Sequence, residues 1–298
     1  MDIYDRLREL GYDVQKFATH IRLPREYLEA VAPVCEALLS NHADDVACIR
    51  ADMRNPELYE RLERKLDYNP CLSRFAMYVI LGMDAEKTYI SKGHGGLVYY
   101  MSMRELVIWS ASYYRESGEY GIKDQLDWLT RFFTNDLVRL GRLEYEIYTF
   151  SEALTWNKHG LSVKGGDKII NIHIPEDGRL FPDMIIDSLK QAYEYFGCTG
   201  KAVFVCGSWL LWPKNREYMQ PGSYILKFMD NFDILSSEEE KNHRDLWRVF
   251  GHRDSFVPSE LPRDTGLRKT LAEYLETHDN VFGRGYGVLA FDGEKIYN

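Results

Sequence analysis

The sequence RLGRLEYEIYTF, residues 139–150, marks the point at which the pattern of apolar residues changes. Before Gly141 the apolar residues recur at helical spacing, and after it they alternate with the period of two that is typical of strands. Gly141 also favours the end of a helix, because glycine readily adopts the left-handed conformation that closes one. We therefore expect an α-helical part followed by a part in which strands and helices are mixed.

The chain before this point predicts a series of amphipathic helices. Pro24 begins one of them, and Asn55 with Pro56 has the N-cap and first-turn chemistry of another. Further apolar faces are predicted over residues 75–82, 106–114 and 126–140. Residues 1–135 are therefore predicted to form a helical N-terminal domain, and residues 136–298 a second domain.

The chain after this point predicts strands that alternate with helices. The predicted strands are residues 143–150, 154–163, 168–174, 202–210, 246–250 and 287–291. Helices are predicted over 182–197, over 223–235 with Ser223 as N-cap, and over 267–277. This order of elements indicates an α+β (mixed α/β) fold.

The composition excludes several functional classes. The 298 residues carry a formal net charge of -9, which is the wrong sign for neutralising phosphates along nucleic acid. No apolar run is long enough for a membrane helix, and the start of the chain lacks the layout of a signal peptide. The five cysteines form no CxxC pair. We expect a cytoplasmic protein with reduced thiols.

Two carboxylates lie on one face of the strand that follows Gly141. Alternation places Glu144 and Glu146 on the same side, about 7 Å apart. Like charges at this spacing raise the pKa of one carboxyl group, and a raised pKa makes its carboxylate a stronger general base. The alternative interpretation is an exposed face with ion pairs to Arg139 and Arg142.

The strand predicted over residues 168–174 separates apolar from polar side chains. One face carries three isoleucines, while Asn171 and His173 share the other face with Ile169. We expect the polar face to line a cleft. A hydrogen-bonded histidine of the core or rim is the alternative interpretation of His173.

The segment that follows, residues 175–182, is predicted to be a turn that leads into a helix. The N–H groups and the dipole of a helix N-terminus suit a phosphate or a carboxylate, and Arg179 can supply a charged hydrogen-bond donor. A purely structural turn is the alternative interpretation, because Gly178 alone does not make a glycine-rich phosphate loop.

Other conspicuous motifs are interpreted as structural. GRGYG, residues 283–287, is predicted to be a turn or bulge, since it precedes a strand instead of opening a helix. The acidic run at 238–240 is predicted to be a helix edge or a loop, and His252-Arg253-Asp254 a polar loop. Ser208 lacks a nucleophile-elbow motif, and Trp209 and Trp212 are predicted to wall a pocket.

Several separate motifs resemble, in the same order, those of bacterial acyltransferase-domain proteins. These proteins join a helical N-acyltransferase N-terminal domain to a GNAT-like C-terminal domain. The motifs are residues 128–129, 137–146, 172–175 with Gly178 and Leu180, 205–213, and 223–225 with Phe228 and Phe232. The resemblance implies a GNAT-like mixed β-sheet flanked by helices, with an inserted helix at 267–277 before the last strand.

The resemblance also implies a reaction and its participants. The enzyme would transfer an acyl group from acetyl-CoA or another acyl-CoA, as co-substrate and without a metal, to a small-molecule amine acceptor. The CoA pyrophosphate is expected at Ile174, Gly178, Arg179 and Leu180. The expected catalytic residues are Glu144, Glu146 or His173 as general base and Tyr224 as general acid. Apart from the resemblance, the charge and the apolar pattern predict neither a nucleic-acid nor a membrane partner, and they leave a homo-oligomer open.

One departure from the family pattern supports a second hypothesis. The usual GNAT pyrophosphate signature, Arg or Gln followed by x-x-Gly-x-Gly/Ala, is absent at the matching turn. This absence favours a non-catalytic GNAT-like ligand-binding or regulatory module. A hydrolase that uses Ser208 or Cys206 ranks last, because neither residue has a histidine nearby in the sequence.

Overall fold

The computed structural model describes residues 1–240, 245–251, 255–279 and 281–298. The chain divides into two compact units, Met1–Arg139 and Leu140–Asn298. The change of apolar period at Gly141 falls directly after this division. The motif His252-Arg253-Asp254 lies outside the described residues.

The first unit is helical, as the sequence predicts. Helix α6 (Pro70–Ser91) carries more buried residues than any other helix of this unit, and its residues Phe75, Tyr78 and Val79 are completely inaccessible to solvent. The helices are α1 (Ile3–Glu9), α2 (Val14–Ile21), α3 (Arg25–Asn41), α4 (Ala43–Ala51), α5 (Pro56–Glu63), α6 (Pro70–Ser91), α7 (Leu97–Met103), α8 (Glu105–Ser117) and α9 (Leu126–Phe133).

Side-chain caps define where several of these helices begin. Asn55 accepts a hydrogen bond from the backbone N–H of Glu57, and Asn69 accepts one from that of Cys71. Each cap is followed by proline at the first helical position, where a missing N–H costs no intrahelical hydrogen bond. The Asn-Pro signal at Asn55 therefore predicts the start of α5 correctly.

The helix predicted over residues 126–140 is wrong in its second half. Helix α9 ends at Phe133, and strand β1 (Leu137–Leu140) follows. Asn135 adopts a left-handed conformation with φ 58°, which asparagine tolerates better than most residues and which a helix cannot continue through. Leu137 and Leu140 are therefore buried in a strand and not on a helix face.

The second unit is built on a mixed sheet. After β1 the strands are β2 (Leu143–Thr149), β3 (Thr155–Lys158), β4 (Leu161–Lys164), β5 (Lys168–His173), β6 (Ala202–Ser208), β7 (Asp233–Glu239), β8 (Gly283–Phe291) and β9 (Ile296–Tyr297). The order of the strands in the sheet is β1-β2-β5-β6-β8-β7, with β9 paired to β8, and β3 and β4 form a separate hairpin. The central pair, β5 and β6, is parallel, whereas β2–β5, β6–β8 and β7–β8 are antiparallel.

Helices flank this sheet. They are α10 (Pro182–Tyr195), α11 (Asn215–Tyr218), α12 (Tyr224–Met229), α13 (Trp247–Phe250) and α14 (Gly266–Leu275). Helix α10 packs on β2 and on α12. The predicted helical domain followed by a mixed sheet with flanking helices is confirmed. Among the described residues, no helix has both the length and the apolar character needed to cross a membrane.

Three elements of the second unit differ from the sequence-based prediction. Residues 154–163 form the hairpin of β3 and β4, because His159 and Gly160 both adopt positive φ and turn the chain. Residues 246–250 contain helix α13 instead of a strand, since the buried residues Leu246, Val249 and Phe250 follow i, i+3, i+4 spacing. The helix predicted over 223–235 ends at Met229, and strand β7 begins at Asp233.

Strand β7 also corrects the interpretation of the acidic run. Glu238 and Glu239 lie in this strand, opposite Arg284 and Gly283 of β8. The prediction of a helix edge or a loop is therefore wrong at these two positions. Both carboxylate side chains are exposed, in agreement with the predicted solvation.

The GRGYG motif is part of strand β8 and not a turn. Its glycines let the segment after β6 pack directly on the strand. A Cβ atom at Gly285 would lie 2.0 Å from the carbonyl oxygen of Leu211, and one at Gly283 would lie 2.3 Å from the ring of Trp212. Glycine is required here for close packing of backbone, not for phosphate binding. Trp212 is accordingly buried against β8.

Candidate active site

One face of the sheet collects the polar residues predicted for the site. In the antiparallel pairing of β2 with β5, Glu144 lies opposite His173 and Glu146 opposite Asn171. Directly opposite residues of a strand pair project from the same face of the sheet. These four side chains therefore share a face, as the alternation of each strand predicts.

Glu146 and His173 form a close pair on this face. Oε1 of Glu146 lies 2.7 Å from Nε2 of His173, and the amide nitrogen of Asn171 lies 3.0 Å from the same oxygen. The side chains are 13% and 24% exposed for Glu146 and His173 respectively, so the pair is shielded but reachable. A pair with this geometry can hold a proton and pass it on.

Nε2 of His173 lies 2.7 Å from Oε1 of Glu146 and 3.0 Å from the amide nitrogen of Asn171. In the tautomer that carries its hydrogen on Nε2, the ring donates to the Glu146 carboxylate. The Asn171 amide donates to the same carboxylate and helps to hold it in place. In the neutral ring, Nδ1 is then the nitrogen that can accept a proton.

Glu144 occupies a more enclosed position than Glu146. Its side chain is 1% exposed, and it lies across the strand pair from His173. Both carboxylates are therefore next to the histidine, one diagonally in hydrogen-bond contact and one directly opposite. The geometry thus leaves two groups, Glu144 and the Glu146–His173 pair, for the role of base.

The turn after β5 is held by a buried arginine. Nε of Arg142 donates to the carbonyl of Arg179 at 3.1 Å, and Nη2 donates to the carbonyls of Pro175 at 3.1 Å and Gly178 at 2.8 Å. Arg142 is 4% exposed. One guanidinium thus fixes three carbonyls of a turn that the sequence marks with a single glycine.

This arrangement orients the N–H groups of the turn. In a planar trans peptide the N–H points opposite to the C=O, so the carbonyls of Gly178 and Arg179 that face Arg142 turn the N–H groups of Arg179 and Leu180 away from it. Among the described residues, neither of these N–H groups donates a backbone–backbone hydrogen bond. Helix α10 starts directly afterwards, and its N-cap Phe181 makes no side-chain capping bond.

The other residues predicted to bind the donor lie on the same turn. Ile174 is half-buried, Leu180 is buried, and Gly178 and Arg179 are exposed, so the side chain of Arg179 is accessible to an anion. Gly178 has φ 103°, a conformation that other residues rarely adopt.

Tyr224 lies beside the start of α10. It lies in the first turn of α12 and is 37% exposed. Its ring meets that of Phe181 edge to face, with centroids 4.7 Å apart. Tyr224 is therefore next to Phe181, the N-cap residue of α10.

The candidate nucleophiles of a hydrolase have structural roles. The Ser208 hydroxyl accepts a hydrogen bond from the N–H of Leu210 at 3.2 Å and caps a short 3-10 turn, Trp209–Leu211. Burial raises the pKa of the Cys206 thiol to about 12, which keeps it protonated and weakly nucleophilic. The described residues also contain no group of three or more His, Cys, Asp or Glu side chains that could hold a metal.

Two features of the site are not evident from the sequence. The sequence suggests Arg142 as an ion-pair partner for the carboxylates. Its contacts with the turn cannot be predicted in this way, because they depend on a backbone conformation that no motif encodes. Tyr286 lies on the same face as the Glu146–His173 pair, but its place becomes clear only from the pairing of β8 with β6. The alternation of polar residues in β8 is too weak to identify it.

The second unit is a mixed sheet with a parallel central pair, in which a turn and a helix follow the first strand of that pair. Residues 137–289 match the model of the GNAT-like C-terminal domain family. The chain belongs to this family, as the motifs of the sequence predict.

Solved structures of acyltransferases share the fold over nearly the whole chain. One, in complex with decanoyl-CoA and teicoplanin, is 18% identical with a TM-score of 0.68, covering 97% of this chain and 99% of that chain. A mutant acyltransferase in complex with octanoyl-CoA is 19% identical with a TM-score of 0.69, covering 93% and 87%. A third, with CoA and 10C-Teicoplanin, is 18% identical with a TM-score of 0.69, covering 97% and 99%. No curated protein matches the sequence.

Proposed function

We propose that the protein is an N-acyltransferase that moves an acyl group from acyl-CoA to an amine acceptor. The observation that carries the proposal is the Glu146–His173 pair, whose histidine is the last residue of β5 and directly precedes the turn held by Arg142. A base for the acceptor and a place for the donor are thus a few residues apart on one strand and its following turn.

The donor is proposed to bind with its pyrophosphate at the turn. The N–H groups of Arg179 and Leu180 and the N-terminus of α10 would donate to phosphate oxygens, and the Arg179 guanidinium would add a charge-assisted bond. The segment also carries Glu176, Asp177 and Asp183, which oppose an anion. The affinity for acyl-CoA is therefore expected to depend on the oriented N–H groups and on Arg179. Ile174 and Gly178 would form the surface next to which the pyrophosphate binds.

The chemistry is proposed to proceed by direct attack of the amine on the thioester. His173 takes the proton of the attacking amine on Nδ1, and the Glu146 carboxylate stabilises the positive charge that the ring acquires. The C–N bond forms first and places negative charge on the carbonyl oxygen, and the C–S bond then breaks. The departing sulfur takes a proton from Tyr224, which lies beside the start of α10. Glu144 is the alternative base.

The structural relatives guide the choice of donor and acceptor. Two of them hold decanoyl-CoA or octanoyl-CoA, so donors from acetyl-CoA to decanoyl-CoA should be compared. Teicoplanin is found with one relative, and a small-molecule amine is the acceptor class proposed for this chain.

The proposal is tested by the release of CoA thiol from acetyl-, octanoyl- and decanoyl-CoA in the presence of a panel of amines. We expect amine-dependent release by the wild-type protein, a loss of about 10²-fold or more in His173→Gln, and no change in His159→Gln, an exposed histidine of the β3–β4 hairpin. Donor binding without release by any amine would instead support a non-catalytic binding module.

A further inference from the structure

The hydroxyl of Tyr286 is buried and has no hydrogen-bond partner among the residues that the structure describes. Buried hydroxyls in proteins almost always have a partner, and leaving one without is unfavourable. Tyr145, in the same sheet, shows the usual arrangement, because its hydroxyl lies 2.9 Å from the hydroxyl of Ser188. The Tyr286 hydroxyl is therefore a donor that needs an acceptor from outside the chain.

Tyr286 projects from the same face of the sheet as the Glu146–His173 pair. Asn171 of β5 is level with Val205 of β6, and Val205 lies opposite Val288 of β8. Two residues further along β6, Gly207 lies opposite Tyr286. The face that carries Asn171 therefore also carries Gly207 and Tyr286.

Gly207 has no side chain of its own, so the guanidinium of Arg284 and the ring of Tyr286 lie close to the backbone of β6. A Cβ atom at this position would lie 3.5 Å from Cδ2 of Tyr286 and 3.2 Å from Nη2 of Arg284. The guanidinium of Arg284 donates to the carbonyl of Gly207 at 2.9 Å. An acyl group bound at this position would therefore lie beside the Arg284 guanidinium, with His173 on the β5 side and Tyr286 on the β8 side.

We propose that Tyr286 is a further catalytic residue, whose hydroxyl donates a hydrogen bond to the acyl carbonyl oxygen as the amine attacks. This role rests on the proposed acyl transfer. As the C–N bond forms, the amine proton goes to His173 and negative charge develops on the carbonyl oxygen; this charge passes to the departing sulfur, which is then protonated, as the C–S bond breaks. The hydroxyl stabilises that charge and keeps its own proton.

The surroundings of the hydroxyl suit a donor that stays protonated. The ring packs against the apolar cluster under the β3–β4 hairpin and is tilted toward Phe150, with ring centroids 6.1 Å apart. This burial raises the pKa of Tyr286 well above its usual range. Proton transfer from Tyr286 is disfavoured, so protonation of the sulfur is left to another group.

The test is the variant Tyr286→Phe, which removes only the hydroxyl. We expect kcat for acyl transfer to fall about 10²-fold, as for other single oxyanion donors, with the Kd for acyl-CoA unchanged. Because the hydroxyl has no partner in the free protein, the melting temperature should stay the same or rise. The matched control is Tyr145→Phe, whose hydroxyl is satisfied by Ser188; it should lower the melting temperature and leave kcat unchanged.

Several outcomes would overturn the role of Tyr286. An active wild-type protein with a Tyr286→Phe variant within about twofold in kcat would do so. So would a change confined to the KM for the amine, or a melting temperature that falls as far as in Tyr145→Phe. A wild-type protein that releases no thiol from any acyl-CoA would instead refute the proposed function itself.

Discussion

Nε2 of His173 lies 2.7 Å from Oε1 of Glu146, across the antiparallel pair of β2 and β5. The two residues come from strands that are separated by the β3–β4 hairpin in the sequence and are brought together by register alone. In the tautomer that carries its hydrogen on Nε2, the ring donates to this carboxylate. The pair therefore has the geometry of a base and the group that orients it.

Replacing the carboxylate tests this pairing. Glu146→Gln keeps the size of the side chain but removes the charge that stabilises the protonated ring. We expect kcat for acyl transfer to fall about 10²-fold, with the Kd for acyl-CoA unchanged. Steady-state kinetics of Glu144→Gln provide the comparison. A larger loss in Glu144→Gln than in Glu146→Gln would assign the base to Glu144 instead.

The sequence predicts much of this site and misses part of it, for physical reasons. Period-two alternation places Glu144 and Glu146 on one face, and likewise Asn171 and His173, because a strand is extended whatever surrounds it. Which strands are neighbours is decided by long-range pairing, so the contact between Glu146 and His173 is not predicted. The same holds for the fold. Helix α6 can be predicted from the local spacing of its apolar residues, whereas the start of β1 depends on the turn at Asn135.

The contacts of Arg142 with the turn yield a second prediction. In Arg142→Lys a single ammonium group cannot reach the carbonyls of Pro175, Gly178 and Arg179 together, so the N–H groups of the turn lose their orientation. We expect the Kd for acyl-CoA, measured by calorimetry, to rise about tenfold or more.

A donor without a pyrophosphate provides the control for Arg142→Lys. An acyl-pantetheine thioester should be used by the variant and by the wild-type protein with the same kcat/KM. An equal loss with acyl-CoA and with acyl-pantetheine would mean that Arg142 only supports the fold. An unchanged Kd for acyl-CoA would remove Arg142 from the donor site.

The glycines of β8 predict a stability effect away from the chemistry. In Gly285→Ala the new methyl group would lie 2.0 Å from the carbonyl oxygen of Leu211, so backbone must move. We expect the free energy of unfolding to fall by about 1–3 kcal/mol or more. The control is Gly266→Ala in the first turn of α14, where the added methyl meets no atom within 4 Å. Denaturant titration should show this control to be as stable as the wild type or slightly more so.

Asp45 predicts a dependence of stability on pH. Its carboxylate accepts two hydrogen bonds from Nζ of Lys65, at 2.8 and 2.7 Å, and this contact lowers the pKa of Asp45 below its usual value. A lowered pKa in the folded state stabilises the protein above the unfolded pKa of about 3.9, and the benefit is lost as the pH falls through the folded pKa.

The corresponding experiment compares Asp45→Asn with Asp44→Asn, a change at the exposed neighbour in the same helix turn. At pH 7 the free energy of unfolding of Asp45→Asn should be about 1.5–3 kcal/mol lower than that of the wild type, which is the contribution of a hydrogen-bonded charged group. This deficit should shrink steadily in unfolding curves recorded below about pH 4. A deficit that is independent of pH, or an equal deficit in Asp44→Asn, would argue against the Lys65 pair.

The central claim is that this chain binds acyl-CoA through the turn between β5 and α10. Calorimetric titration of the purified protein with CoA, acetyl-CoA and decanoyl-CoA measures it before any acceptor is known. We predict micromolar binding of at least one of these ligands, weakened about tenfold or more in Arg179→Glu, because this change replaces an attractive charge by a repulsive one. No binding at millimolar ligand, or equal affinity in Arg179→Glu, would contradict the claim.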